Sequence, residues 1–246
     1  MADALLKILT AGATREGLAL CAAPFEQRSG IRIEADTTHG HLIEQRVRVG
    51  EADHDMVLLP SAMIENLIGL GLALEDFCAS LGRIRVGAAV RDGVTPPDVS
   101  TMDGLERTLM EARSIVLTLA PSGRHMERLI ASLGLTDQVA DRIVRYDTGS
   151  MVNDHLVASD ADGEVAFGVA TEISFYRDRG VTYAGPIPDE VQMALDYDAA
   201  MLAQSERREE GATLLAYFGT EVARRAFAST GVDVRVRKSA RRADPT

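Results

Sequence analysis

Two histidines, two threonines and a glycine stand together in TTHGHL, residues 37–42. The stretch follows a run that alternates like a strand (31–36) and precedes a run with the period of a helix. Imidazole and hydroxyl groups in a strand-to-helix turn can donate hydrogen bonds to an anion, move protons or bind a metal. We expect His39 to face a ligand, whereas His41 can point either way.

Three further turns combine glycine with serine or threonine: AGATREG (11–17), APSGRH (120–125) and DTGSMVN (147–153). Ligands of open α/β sheets bind at the carboxyl ends of strands, where helix dipoles favour negative charge. Arg15 and Arg124 can each hold a carboxylate with two hydrogen bonds. Each hydroxyl has an alternative role as a helix cap, and Glu16 can pair with Arg15. Four such turns in one chain nevertheless favour an anion site.

The remaining histidines, His54, His125 and His155, show no recognised metal-ligand spacing, so we predict no metal and no cofactor. His54 and His155 are expected to be surface or structural residues. The sequence also contains no nucleophile elbow, P-loop, dinucleotide-binding or zinc signature.

The composition restricts the classes of partner. The 246 residues carry a formal net charge of −11, and aromatic residues make up only 4% with no tryptophan. A nucleic-acid binder normally has the opposite charge and aromatic stacking platforms. No apolar run is long enough to span a membrane. A small anionic ligand is the expected partner, because a few arginines can dominate the field of a cleft.

Strand and helix patterns alternate along the chain, which predicts an α/β fold with parallel sheets covered by helices. The predicted strands are 6–10, 31–36, 55–60, 84–90, 114–120, 165–169, 181–185 and 193–202. The predicted helices include 14–29, 41–49, 149–159, 206–218 and 221–229. Pro24 should kink or shorten its helix, Ser61 can cap the next one, residues 69–74 form a turn, and 121–125 begin as a loop.

Cys21 and Cys78 both lie in apolar stretches and are predicted to be buried thiols, with one disulfide as the alternative. The sequence as written predicts a cytoplasmic protein, because MADALLK does not resemble a signal peptide. A periplasmic protein is the alternative if a leader has been removed. The basic tail, 235–246, is expected to be a frayed end, with a docking arm as the alternative.

Long stretches of the chain resemble the molybdate-binding-protein-like (ModA-like) family of type 2 periplasmic solute-binding proteins. They are LKILTAGATREGL, FEQRSGIRIE, TTHGHLIEQRVRVGEADHDMVLLP, APSGRHMERLIASLGL, GEVAFGVATEI and LLAYFGTEVARRAFASTGV. The resemblance implies two α/β lobes joined by two crossover strands, with the ligand in the cleft between them. Lobe one would comprise residues 1–82 plus 197–246, and lobe two residues 83–196.

The ligand turns depart from the family pattern. Ala13 or Thr14 stands where the family has serine, His39-Gly40-His41 replaces a serine-rich turn, and Val169 occupies a tyrosine position. The added arginines and histidines favour a larger, carboxylated ligand over molybdate. The predicted ligand-binding residues are Ala13, Thr14, Arg15, Thr38, His39, Gly40, Ser122, Gly123, Arg124, Ser150 and Thr171.

The resemblance implies a protein that binds a small anion, an organic carboxylate or an oxyanion, and delivers it to an ABC permease if the chain is exported. The alternative is an isomerase of a small di- or tricarboxylic acid, similar in type to aconitate isomerase. In that enzyme His39 and His41 would be the catalytic acid and base, with Glu16 or Glu172 as other candidate bases, although Glu172 is rather expected to support the hinge. A ligand-sensing module ranks third, because it requires an attached output domain.

Overall fold

The computed structural model describes residues 4–234 of the chain. These residues form two compact units, one comprising 4–83 with 196–234 and the other comprising 84–195. The basic segment 235–246, which was predicted to be a frayed end, lies outside the described residues.

The first unit opens with alternating strands and helices: β1 (Ala4–Ala11), α1 (Arg15–Ser29), β2 (Ile31–Thr38), α2 (Gly40–Arg48), β3 (Met56–Pro60) and α3 (Ser61–Gly69). The long strand β4 (Ala73–Arg91) leads into the second unit. That unit contains α4 (Met102–Glu111), β5 (Ser114–Thr118), α5 (Pro121–Ser132), α6 (Thr136–Val139), β6 (Ile143–Tyr146), α7 (Gly149–Ala158), β7 (Glu164–Val169), α8 (Ala170–Ser174) and β8 (Val181–Pro186). Strand β9 (Ala194–Leu202) returns to the first unit, which ends with α9 (Arg208–Phe218) and α10 (Glu221–Ser229).

The sheet of the first unit has the order β2-β1-β3-β9. Strand β1 pairs in parallel with β2 and β3, whereas β9 is antiparallel to β3. Ala11 lies beside Thr38 and Thr10 beside Leu58, so the carboxyl ends of the three parallel strands share one edge. The turns into α1, α2 and α3 therefore lie at that edge.

The sheet of the second unit repeats this arrangement. Strands β6, β5 and β7 are parallel, with Thr118 beside Tyr146 and Leu117 beside Phe167. Strand β4 runs antiparallel to β7, and β8 runs antiparallel to β4. The helices α5, α7 and α8 start at the carboxyl ends of the three parallel strands. The prediction of parallel sheets is corrected here, because each sheet also contains antiparallel strands.

Apolar side chains cover both faces of the second sheet. One face packs Leu105, Leu109, Met126 and Ile130 from α4 and α5 against the strands. The opposite face packs Val152, Leu156 and Ile173 from α7 and α8. This burial on two sides fixes the position of each helix N-terminus relative to the end of the strand that precedes it.

Helix α1 corrects the expectation for Pro24, because the helix continues unbroken to Ser29. Pro24 lies on the exposed side of the helix, where the carbonyl groups can tilt towards solvent. The buried face carries Leu18, Cys21 and Phe25, and its packing continues past the proline. The helix ends at Gly30, whose φ of 72° is the left-handed conformation that favours glycine.

Three other expectations are corrected. Residues 121–125 form no loop, because α5 begins at Pro121, a residue suited to the first helical position. The strand predicted at 84–90 is the second half of β4, which begins at Ala73, so strand structure already starts within the predicted turn 69–74. Cys78 is exposed on β4, whereas Cys21 is buried, and neither is in a disulfide.

Candidate functional site

The first strand-end turn of the first unit holds Thr14 within the fold. Thr14 is 0% exposed, and its hydroxyl lies 2.9 Å from the Thr10 hydroxyl and donates to the Ala11 carbonyl at 3.2 Å. This hydroxyl is therefore occupied by contacts that secure the turn. Ala13 is also buried, while Arg15 begins α1 and is half-buried. The backbone N–H groups of this helix start and the guanidinium are the groups that can bind an anion here.

Glu16 follows Arg15 in the first turn of α1. One of its carboxylate oxygens is buried and accepts no hydrogen bond from any residue between 4 and 234. A carboxylate at a helix N-terminus is stabilised by the dipole, and it can also accept a proton. Glu16 therefore remains a candidate base beside the arginine.

The second turn brings the two histidines together. His39 precedes α2 in an extended conformation, with φ −71° and ψ 139°, and its side chain caps no backbone N–H. The rings of His39 and His41 are stacked, with centroids 5.8 Å apart and an interplanar angle of 18°. Both side chains are exposed, whereas Thr38 and Gly40 are half-buried. The two imidazoles thus form one exposed surface at the start of α2.

The third turn supplies a residue that the sequence analysis treated only as a helix cap. Ser61 is the first residue of α3, follows Pro60 directly, and makes no capping hydrogen bond. Its hydroxyl is buried and has no hydrogen-bond partner within residues 4–234. The signal in the sequence is the same as in the other turns: a small hydroxyl residue directly after a buried strand. Ser61 is therefore a further candidate donor at this edge.

In the second unit, α5 begins very close to the strand before it. Ser122 and Gly123 are buried, and a Cβ on Gly123 would collide with the backbone of Thr118. Arg124 is exposed in the same first turn. The close approach places the N–H groups at the start of α5 directly over the end of β5.

The other two turns of this unit carry Ser150 and Thr171. Ser150 is exposed in the first turn of α7, where Thr148 accepts a hydrogen bond from the Met151 N–H at 3.2 Å. Thr171 in α8 is buried, and its hydroxyl has no hydrogen-bond partner in the described chain. The Glu172 carboxylate lies against Gly149, at the positive end of the α7 dipole.

The remaining histidines make structural contacts. His54 is buried, with Nε2 3.0 Å from Asp36 Oδ2, and His125 lies 2.7 Å from the Val191 carbonyl oxygen. His155 Nδ1 lies 2.9 Å from the Tyr146 hydroxyl, while its Nε2 faces Glu164 at 3.3 Å. Within residues 4–234 no group of three His, Cys, Asp or Glu residues could hold a metal ion.

Each unit thus gathers predicted residues at one edge of its own sheet. Ala13, Thr14, Arg15, Thr38, His39, Gly40 and His41 share the edge of the first unit, and Ser122, Gly123, Arg124, Ser150 and Thr171 share that of the second. Both edges combine helix N-termini, hydroxyl groups and one arginine, which is a chemistry suited to anions.

The sequence model of the bacterial extracellular solute-binding protein family matches residues 6–233. The chain belongs to this family. The function expected of such a protein, the binding of a small solute, is thereby confirmed, and so is the resemblance noted in the sequence.

Solved structures show the same fold in other solute-binding proteins. The periplasmic molybdate-binding protein of Azotobacter vinelandii superposes with a TM-score of 0.72 at 15% identity, covering 94% of this chain and 100% of that one. The sulfate-binding protein of Mycobacterium tuberculosis gives a TM-score of 0.68 at 14% identity, covering 93% and 86% of the two chains. The predicted type 2 periplasmic-binding-protein fold is confirmed.

A curated relative carries the name of an enzyme. Aconitate isomerase from Pseudomonas sp. is 26% identical over 238 residues, which cover 92% of this chain and 87% of the relative.

In this solute-binding protein, no helix within the described residues is long and apolar enough to cross a membrane.

Proposed function

We propose that this solute-binding protein binds a small organic anion with more than one carboxylate group at a strand-end turn that carries an arginine. One observation carries the proposal. In each unit an arginine stands in the first turn of a helix that follows a parallel strand, Arg15 on α1 and Arg124 on α5. A guanidinium pairs with a planar carboxylate through two parallel hydrogen bonds, and the helix N-terminus adds backbone donors.

The histidines and the curated relative support a carboxylate over a bare oxyanion. His39 and His41 add imidazole donors that a small tetrahedral anion does not require. The similarity to aconitate isomerase over most of the chain supports a tricarboxylate of that size. The assignment of lobes, 1–82 plus 197–246 and 83–196, belongs to this proposal. At both points where the chain passes from one compact unit to the other, the boundary in the structure differs by one residue from the predicted lobe boundary.

The family description also supports the cellular role. We propose that the protein acts outside the cytoplasm and delivers its ligand to an ABC permease.

The test is a calorimetric titration of the purified protein with cis-aconitate, trans-aconitate, citrate, molybdate and sulfate. Arg15→Gln or Arg124→Gln should weaken binding of a tricarboxylate by about tenfold or more, since the substitution removes a charge-assisted pair. Arg128→Gln, an exposed position on the same helix as Arg124, is the matched control and should leave the affinity unchanged. Binding of molybdate or sulfate with no carboxylate bound would overturn the proposal, as would an unchanged affinity in both arginine variants.

An isomerase is the second candidate, favoured by the curated relative and by the exposed histidine pair. One histidine would take a proton from a carbon beside a carboxylate, the double bond would shift, and a proton would return to the other carbon. An arginine of a strand-end turn would hold a carboxylate of the substrate, so the substrate would be the ligand already proposed.

This candidate is tested by NMR of cis-aconitate incubated with the protein in D2O. Conversion to the trans isomer with uptake of deuterium, lost in His39→Ala or His41→Ala even at a ligand concentration that saturates the variant, would make the protein an enzyme. Tight binding without conversion would leave it a binding protein.

A further inference from the structure

A pocket lies within the first unit, between the C-terminal half of α1 and helix α9. Its volume is about 510 Å³, and it is lined by Phe25, Arg28, Ser29, Ala212, Thr213, Ala216, Tyr217 and Thr220. None of these residues belongs to the strand-end turns. The lining contains no carboxylate, although the chain has a net charge of −11. The pocket therefore repels anions less than most of the surface does.

Three of the lining hydroxyl groups are already used as donors. Ser29 donates to the Phe25 carbonyl oxygen at 2.8 Å, and Thr213 donates to that of Glu209 at 2.8 Å. Thr220 donates to the carbonyl oxygen of Tyr217 at 2.7 Å. These groups hold the helices in shape and leave no hydroxyl proton for a ligand.

Tyr217 differs from them, because its hydroxyl is buried with no hydrogen-bond partner among residues 4–234. The residue is 5% exposed, and its ring packs on that of Phe25 with centroids 5.2 Å apart. Burial raises the pKa of the phenol, with a further contribution from Cys21, while Arg28 acts in the opposite direction. A buried hydroxyl left without a partner is destabilising, so a ligand that accepts its hydrogen bond is favoured.

Arg28 is the second open donor. It is exposed in the last turn of α1, and no residue of the described chain forms an ion pair with it. Arg28 and Tyr217 both line this pocket. Exposed arginine side chains change rotamer within nanoseconds, so the guanidinium can adjust to a ligand that binds there.

We propose that this pocket is a second ligand site, which takes a small monocarboxylate with an apolar body. The two open groups are both donors, so the ligand must present an acceptor, and the cationic partner favours a carboxylate over a neutral carbonyl. The rings of Phe25 and Tyr217 and the methyl groups of Ala212 and Ala216 would cover the apolar part. This site is independent of the strand-end turns and does not rest on the function proposed for them.

The test is a two-dimensional NMR titration of the whole protein with benzoate and hexanoate, using benzamide as the neutral match for benzoate. We expect millimolar binding that shifts the amide signals of Ser29, Thr213 and Tyr217. Tyr217→Phe retains the ring and should weaken benzoate binding about tenfold, as should Arg28→Gln. Arg107→Gln, which removes an exposed charge from α4 in the other unit, should leave it unchanged.

Three results would overturn the proposal. They are the absence of shifts around the pocket with either acid, equal binding of benzamide and benzoate, or an unchanged affinity in Tyr217→Phe. A second measurement needs no ligand: Tyr217→Phe should not lower the free energy of unfolding, because the hydroxyl makes no hydrogen bond to lose. A clear loss of stability would mean that the fold itself satisfies this hydroxyl, and the proposal would fail.

Discussion

Gly123 and Gly149 each stand in the first turn of a helix that follows a strand of the second unit, but their surroundings differ. An added Cβ on Gly123 would meet the backbone of Thr118, with its carbonyl carbon at 2.7 Å and its nitrogen at 2.8 Å. On Gly149 it would meet the carboxylate of Glu172, the far end of a flexible side chain. Backbone cannot yield without moving β5, whereas a carboxylate can turn away.

We therefore predict that Gly123→Ala lowers the free energy of unfolding by about 3 kcal/mol and that Gly149→Ala lowers it by about 1 kcal/mol or less. The measurement is urea denaturation of both variants beside the parent protein. Equal losses would contradict the inference that α5 is held in direct contact with the end of β5.

Some helix N-termini in this fold are capped by a side chain, and others are not. At α4 the Thr101 hydroxyl accepts a hydrogen bond from the Gly104 N–H at 3.1 Å, and Thr148 and Thr220 cap α7 and α10 in the same manner. At α2 the capping position is occupied by His39, whose side chain bonds no N–H of the helix. The N–H groups at the start of α2 thus lack the side-chain partner that a structural cap provides.

This difference predicts opposite consequences for two alanine substitutions. Thr101→Ala should cost about 1 kcal/mol of stability, because it removes a cap. His39→Ala should change the free energy of unfolding by no more than about 0.5 kcal/mol, since the exposed ring stabilises no backbone group. The same substitution should weaken binding of the carboxylate ligand. Denaturation curves of the two variants measure the loss of stability, and ligand titrations measure the loss of affinity. A large loss of stability in His39→Ala would make the histidine a structural residue.

Across the whole molecule, the alternation of strands and helices predicted the α/β class, and the resemblance to the ModA-like family predicted the type 2 binding-protein fold. The alternation could be read because the strands 56–60 and 164–169 are buried on both faces, which leaves a nearly continuous hydrophobic signal. The first half of β4 was missed, because only Ala73 and Leu81 among residues 73–83 are buried and the pattern is weak. Cys78, predicted to be buried, lies in that half.

The sequence indicated which turns could bind an anion but not which side chains are available there. Thr14 and Ser61 look alike in the sequence, since each follows a buried strand. In the structure Thr14 shares its hydroxyl with Thr10, whereas the hydroxyl of Ser61 has no partner within the described residues. Such differences depend on contacts between side chains, which local patterns do not encode.

The pH dependence of stability is another property of the whole molecule, because it compares the folded chain with the unfolded one. Burial raises the pKa of the Cys21 thiol to about 12 from its ordinary value of 9.0. Below pH 9 the thiol is protonated in both states and the stability is fully present. Above pH 9 the unfolded state loses its proton first, so stability falls until the folded pKa is reached. Burial also raises the pKa of Tyr183, to about 12 from 10.0, which adds a second loss at higher pH.

We predict that the free energy of unfolding decreases by about 1 kcal/mol between pH 9 and pH 10 through Cys21, with most of the Tyr183 contribution following above pH 10. Cys21→Ala should reduce this slope while lowering stability below pH 9, because it leaves a small cavity. Cys78→Ala is the matched control and should retain the parent slope, since Cys78 is exposed. Urea denaturation at a series of pH values measures all three proteins. If the slope of Cys21→Ala equals that of the parent, the folded protein admits a thiolate at position 21, and α1 must open towards solvent at high pH.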